Sequence, residues 1–125
     1  MRVTPYLAAP AFTGFNQMVG PRRIVVVEDV FVRKFLRAAL ERMGHVVICA
    51  MPAEALRLIH GGEVDLLVTN APYDFAEVGE VIPLLYVAAF PDPAAAAGFR
   101  RWVPLRKPFQ TGELSTAIEH LLGSG

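Results

Sequence analysis

Residues 23–28 read RIVVVE, and this stretch decides the fold. Four of its six residues are Ile or Val in an unbroken run. A strand with one wet face alternates apolar and polar side chains. A continuous β-branched run belongs to a strand buried on both faces, as in a parallel sheet covered by helices. The residues that follow supply such a helix. Val32, Phe35, Leu36, Ala39, Leu40 and Met43 recur at three- and four-residue steps, the apolar stripe of an amphipathic helix. Gly44 is placed to end it in the left-handed conformation. The alternation then repeats. Residues 45–49 (HVVIC) read as a second strand. Pro52 suits the first turn of a second helix, Ala55, Leu56 and Ile59 give that helix one apolar face, and Gly61-Gly62 stops it. Residues 64–69 (VDLLVT), 83–88 (PLLYVA) and 102–105 read as strands three, four and five. Residues 93–100 are Ala-rich and read as a short helix. Leu114, Ala117, Ile118, Leu121 and Leu122 form the stripe of a last helix. The fold class is α/β: a doubly wound, five-stranded parallel sheet with right-handed crossovers.

Composition narrows the function. The chain has 125 residues, a one-domain length, and 12 basic against 12 acidic side chains. Zero net charge leaves no overall electrostatic footprint for nucleic acid or an anionic membrane. The apolar fraction of 54% argues for a well-covered core rather than disorder. One cysteine, Cys49, excludes an internal disulfide and a Cys-rich zinc site. A reducing cytoplasm is the expected setting. Residues 1–21 carry Pro5, Pro10, Gly14, Gly20 and Pro21 and no period, so they read as a tail or docking segment rather than a signal peptide. Residues 22–123 are the domain. No further domain is expected after the last helix.

In an open parallel sheet the site lies past the C-terminal strand ends. Glu28 and Asp29 follow the first strand. Adjacent carboxylates suit a hard cation such as Mg2+, but Asp29 also suits a helix N-cap and Glu28 a solvated strand end. They exclude a Gly-rich phosphate loop, because two carboxylates repel what backbone amides attract. Lys107, in Lys107-Pro108-Phe109, follows the fifth strand and reads either as a site cation or as an exposed lysine before a turn. Asn70, before Ala71-Pro72, reads locally as a turn residue.

Taken together, VVVED, an amphipathic helix, GHVV, DLLVT, PLLYVA, LRKPF and GELxxAIxxLL resemble, in that order, the receiver domain of bacterial two-component response regulators. The resemblance covers about residues 22–123. It implies the flavodoxin-like strand order 2-1-3-4-5, an order the receiver CheY illustrates among doubly wound folds. It implies that Glu28 and Asp29 stand at the Mg2+ acid pair and Lys107 at the phosphate-pairing lysine, with a cis Lys107–Pro108 bond. It also places Asn70 where receivers carry the phosphoacceptor aspartate and Ala88 where they carry the Thr or Ser switch. An amide is a very poor nucleophile for aspartyl phosphate formation, and Ala88 has no hydroxyl. The expected protein is therefore a degenerate receiver in a phosphorelay: not an enzyme, phosphorylation-incompetent, with at most a weak Mg2+ site. It acts by contact with a histidine kinase, a phosphotransfer protein or another receiver, or as a homodimer, and binds neither nucleic acid nor membrane. Arg100, Arg101 and Trp102 are the interface candidates, because Trp and Arg are enriched in binding hot spots. Trp102 reads equally as an aromatic at the core edge.

Three alternatives stay open: a phosphoaccepting regulator that uses Asp74, Asp29 or Glu28, a small-molecule or FMN sensor on the same fold, and a metalloenzyme. The last is disfavoured because His45, His60 and His120 have no ligand spacing. The twelve residues APYDFAEVGEVI between Asn70 and Pro83 leave room for only a turn or two of a third helix. That helix is expected to be short or missing. The sheet face beneath it is expected to be exposed or covered otherwise, with the tail aromatics Tyr6, Phe12 and Phe15, Met18, or a second copy as candidate covers.

Overall fold

A computed structural model describes residues 21–123. Strand β1 (Arg23–Val27) lies inside a five-stranded sheet with β2 (Val46–Cys49), β3 (Leu66–Thr69), β4 (Leu84–Ala88) and β5 (Trp102–Arg106). The order is β2-β1-β3-β4-β5 and every neighbour pair is parallel. This is the flavodoxin-like order expected from the sequence.

The unbroken run in β1 now has its physical reason. Successive strand residues point to opposite faces. Ile24 and Val26 enter a core with Leu36 and Leu40 of α1 (Val30–Arg42) and Leu114 and Ile118 of α3 (Thr111–Ile118). Val25, between them, enters a second core with Ala55, Leu58 and Ile59 of α2 (Pro52–His60). All three β1 side chains are fully buried. Helix ends follow the punctuation of the sequence. Gly44 has φ +97° after α1 and Gly62 has φ +70° after α2, both in the region that favours glycine. Glu113 and Gln110 close a reciprocal capping box at the start of α3, and a π turn (Glu119–Gly123) extends that helix, burying Leu121 and Leu122 as expected.

The third helix is short. Pro72–Val78 forms a 3-10 segment broken at Phe75, where φ is −124°. Its buried residues are Pro72, Phe75 and Val78. That spacing of three matches the 3.0 residues per turn of a 3-10 helix and places them on one side. The Ala-rich stretch is also reduced, to a 3-10 turn at Pro93–Ala96 capped by the Asp92 carboxylate. Of the two expected outcomes for the sheet face beneath the third helix, exposed or covered otherwise, the second holds. The sheet face under the shortened helix is covered from within the domain. Phe75, Val78, Ile82, Ala95, Ala96 and Phe99 bury it together with α2. The residues Tyr6, Phe12, Phe15 and Met18 lie outside the described residues.

Gly79 makes this compact cover feasible. A Cβ on it would stand 2.0 Å from the carbonyl oxygen of Gly98. The two 3-10 segments meet backbone to backbone, and Arg100 N donates to Gly79 O at 3.0 Å.

Candidate functional site

Because all five strands run one way, their C-terminal ends share one edge of the sheet. Four of the ends belong to neighbouring strands in the order β1, β3, β4, β5. Glu28 and Asp29, Asn70, Ala88 and Lys107 therefore gather along one edge.

Asp29 is the N-cap of α1. Its Oδ1 accepts from Phe31 N at 3.0 Å and Val32 N at 3.1 Å. The capping role read from the sequence is thus real. Glu28 is not the solvated strand end that its local sequence allowed. Its side chain has no exposed surface, and Lys107 Nζ stands 3.6 Å from its Oε1. Oε2 is buried with no hydrogen-bond partner among the described residues. Burial pushes the Glu28 carboxyl above its ordinary value, and the Lys107 ammonium offsets part of that rise. Lys107 is itself only a quarter exposed, so it is no ordinary surface lysine. Its backbone N donates to Ala88 O at 2.9 Å, which fixes the stem over the end of β4. The Lys107–Pro108 bond is cis, as the resemblance implied.

Asn70 is exposed just past β3. The turn bond expected of it is made by its neighbour: Thr69 Oγ1, fully buried, accepts from Ala71 N at 3.1 Å. Ala88 is half-buried and presents only a methyl group. Of the alternative acids, Asp74 is exposed within the 3-10 segment.

The donor set is poor in charge for a hard cation such as Mg2+. No group of three His, Cys, Asp or Glu among the described residues is arranged to hold a metal. Of the two carboxylates at the strand ends, one already caps a helix and the other already faces an ammonium. The third side chain at this edge is the neutral amide of Asn70, and ligand charge sets affinity for a hard cation.

The interface candidates separate. Arg100 is exposed. Arg101 Nη2 donates to the carbonyls of His120 at 3.2 Å and Leu121 at 2.9 Å, tying β5 to the terminal turn. Trp102 is half-buried, with its ring 6.2 Å from that of Tyr86, at the edge of the second core. A different feature escaped the sequence reading. Phe35, assigned to the core stripe, is 44% exposed and meets the Phe109 ring edge-on at 5.5 Å. With Phe31, Ala89, Lys107 and Pro108 it lines an apolar groove of about 550 Å3 beside the strand ends.

No protein-family model matches the chain, and no curated protein matches it. Solved structures do. Chemotaxis protein CheY4 of Vibrio cholerae superposes with a TM-score of 0.72 at 17% identity, over 82% of this chain and 100% of that one. A response regulator receiver protein from Sinorhizobium medicae gives 0.67 at 20% identity, over 83% and 96%. The receiver domain of a sensor histidine kinase from Pseudomonas aeruginosa gives 0.68 at 21% identity, over 84% and 100%. That domain was solved with a magnesium ion coordinated in its active site cleft. Identities this low establish a fold, and the fold is the CheY-like receiver fold. Among the described residues no helix is long and apolar enough to cross a membrane.

Proposed function

We propose that this chain is a degenerate receiver, a two-component signalling module that has lost phosphoryl chemistry and works through protein contacts. The reading rests on the fold together with one observation: the side chain at the end of β3 is the amide of Asn70. Three further features agree with it. Ala88 offers no hydroxyl. Lys107 is turned toward Glu28, within ion-pair distance. Glu28 Oε1 faces the Lys107 ammonium, and Asp29 caps α1 through Oδ1. Mg2+ binding on this reading is weak at most. The setting is the bacterial cytoplasm. The partners are a histidine kinase, a phosphotransfer protein, another receiver or a second copy, and Arg100 and Trp102 remain available as contacts.

Intact mass after incubation with acetyl phosphate and Mg2+ tests the reading, with a hydroxylamine control and the Asn70→Asp variant alongside. The expected result is no adduct on the wild-type protein. A hydroxylamine-labile phosphoryl group on the wild type overturns the proposal, because another carboxylate then accepts it.

A further inference from the structure

The sheet has two edge strands, β2 and β5, and an edge strand offers unpaired backbone groups to any strand that reaches it. The register shows which groups these are. Val46 N donates to Arg22 O at 2.9 Å and Ala50 N to Val26 O at 3.0 Å, so residues 46, 48 and 50 turn their amides to β1. The residues between them turn theirs away. Val47 and Cys49 therefore face outward with N–H and C=O, and these groups have no backbone partner among the described residues. The opposite edge is blunted. Lys107 N donates to Ala88 O, so Val103 and Leu105 face β4 and Pro104 faces out. Proline has no N–H to offer there, and the exposed Arg106 adds a charge. Strand β2, with the sequence VVIC, has neither a proline nor a charge.

The open edge is complementary to itself. Laid antiparallel across a two-fold axis at Ile48, two copies set Val47 of each opposite Cys49 of the other. Those are the outward-facing residues, and each such pair exchanges two backbone hydrogen bonds. Ile48 then meets Ile48, and Val46 meets Ala50. Every opposed pair is apolar, and β-branched residues directly opposite each other stabilise an antiparallel pair. Val46 is 45% exposed and Ile48 is half-buried, so the pairing takes apolar surface out of water on the α2 side of the sheet. On the helices before and after β2, Arg37 pairs with Glu41 and Arg57 with Glu54, each within its own helix. The chain as a whole carries no net charge to hold two copies apart.

We infer that β2 is a self-association edge, at which two copies of the chain join antiparallel through residues 46–50 into one continuous sheet. The self-complementary pattern selects the occupant: the same residues supply both sides, and no charge or unpaired polar side chain is set against the partner. Such a contact is isologous, so it closes at two copies and leaves neither β2 edge open. A single short strand pair is a small interface, so the dimer is weak and reversible. This inference rests on the protein-contact reading above, from which it takes the second copy as partner, and it makes no use of the strand-end residues.

The test is sedimentation equilibrium of the whole chain at concentrations up to about 1 mM, with amide exchange followed by NMR at both ends of that range. Val47→Pro removes the outward donor and spares the ladder to β1, as Pro104 does on β5. Val46→Lys places a charge at an exposed position on the edge. Arg100→Glu, just before β5, is the control. The expected result is a dimer that dissociates on dilution, with the Val47 and Cys49 amides slow to exchange when concentrated and fast when dilute. Val46→Lys and Val47→Pro each weaken it about tenfold or more, and Arg100→Glu leaves it unchanged. A monomer throughout the range overturns the inference, and so does a dimer indifferent to Val46→Lys. A dimer lost in Arg100→Glu overturns it by placing the contact at β5. A monomer whose Val47 and Cys49 amides are slow at every dilution overturns it by assigning the edge to residues 1–20 of the same chain. The acetyl phosphate assay probes neither edge of the sheet, so failure here leaves the phosphorylation reading standing or falling by itself.

Discussion

Lys107 Nζ lies 3.6 Å from Oε1 of Glu28, although their strands, β5 and β1, are separated in the sheet by β3 and β4. The lysine reaches across two strand ends to a carboxylate that has no exposed surface. A buried carboxylate needs a nearby positive charge or a proton. At this edge the positive charge comes from the chain itself. The pair is an ion pair at a distance longer than a hydrogen bond, which accords with the unpartnered Oε2 and with a Glu28 carboxyl raised by burial.

Breaking this pair has an asymmetric cost. Lys107→Met leaves Glu28 buried and uncompensated, whereas Glu28→Gln leaves a lysine that can turn toward water. We expect Lys107→Met to lose about 1–3 kcal/mol at neutral pH, below the range for fully buried pairs because the lysine is partly exposed. Glu28→Gln is expected to be nearly neutral, and the double variant to recover most of the loss. The pH dependence follows from the raised carboxyl. A folded value above the unfolded one gives stability that is complete below the ordinary carboxyl value of 4.5 and is lost as pH rises through the folded value. The Lys107→Met deficit is therefore smallest near 4.5 and grows above it. Urea unfolding across that range measures it, and a deficit independent of pH would point to lost packing of the lysine stem instead.

Asn70→Asp tests what is left of the chemistry at the edge. The change adds a carboxylate beside Glu28 and Asp29 and supplies the charge that a hard cation requires. We expect calorimetric titration to show Mg2+ affinity rising by about tenfold or more over the wild type. If a labile phosphoryl group also appears, only the acceptor was lost. If Mg2+ affinity does not change, the Lys107–Glu28 pair and the Asp29 cap close the pocket more firmly than one added charge can open.

The shortened crossover carries its own prediction. Phe75 is fully buried under the sheet, whereas Tyr73, two residues earlier, is 67% exposed. Phe75→Ala is expected to cost about 3–5 kcal/mol and Tyr73→Ala close to nothing. Gly79→Ala is expected to cost about 2 kcal/mol or more, since the added methyl meets the Gly98 backbone and not a flexible side chain. Thermal unfolding of the three variants separates these cases. A Gly79→Ala protein as stable as the wild type would mean that the two 3-10 segments do not meet in solution.

These residues also show where sequence reasoning stops. The strands were legible within one or two positions, because a two-sided parallel sheet needs continuous apolar runs and these are visible without tertiary information. The third strand is the widest miss. It starts at Leu66, since Asp65 turns to accept from Arg23 N through Oδ2 at 2.9 Å. The crossover between Asn70 and Pro83 was read as short, correctly, but its buried side was missed. Pro72, Phe75 and Val78 repeat every three residues, and a search at 3.6 passes over that period. At the strand ends the residue types were legible and their states were not. Nothing local in the sequence says that Lys107 crosses to Glu28 or that Arg101 is spent on the carbonyls of His120 and Leu121. Those contacts join residues far apart in the chain, and only the fold brings them together.

His45 supplies a pH dependence of the opposite sign. Its Nδ1 accepts from Arg22 N at 3.1 Å, which requires that nitrogen to be unprotonated. Burial lowers the imidazole below its ordinary value of 6.5, and the nearby Arg22 charge lowers it further. Protonation would remove the acceptor and place a second cation beside Arg22. A folded value below the unfolded one gives stability that is complete above 6.5 and is lost as pH falls through the folded value. The wild type is therefore expected to lose thermal stability as pH falls below 6.5. His45→Asn keeps an acceptor oxygen near the position of Nδ1 and has no proton to gain. It is expected to match the wild type at neutral pH and to flatten the decline below it. His60, bonded to Glu77 at 3.0 Å on the exposed surface, is the control. If His45→Asn declines as steeply as the wild type, the Arg22–His45 contact is not the sensor.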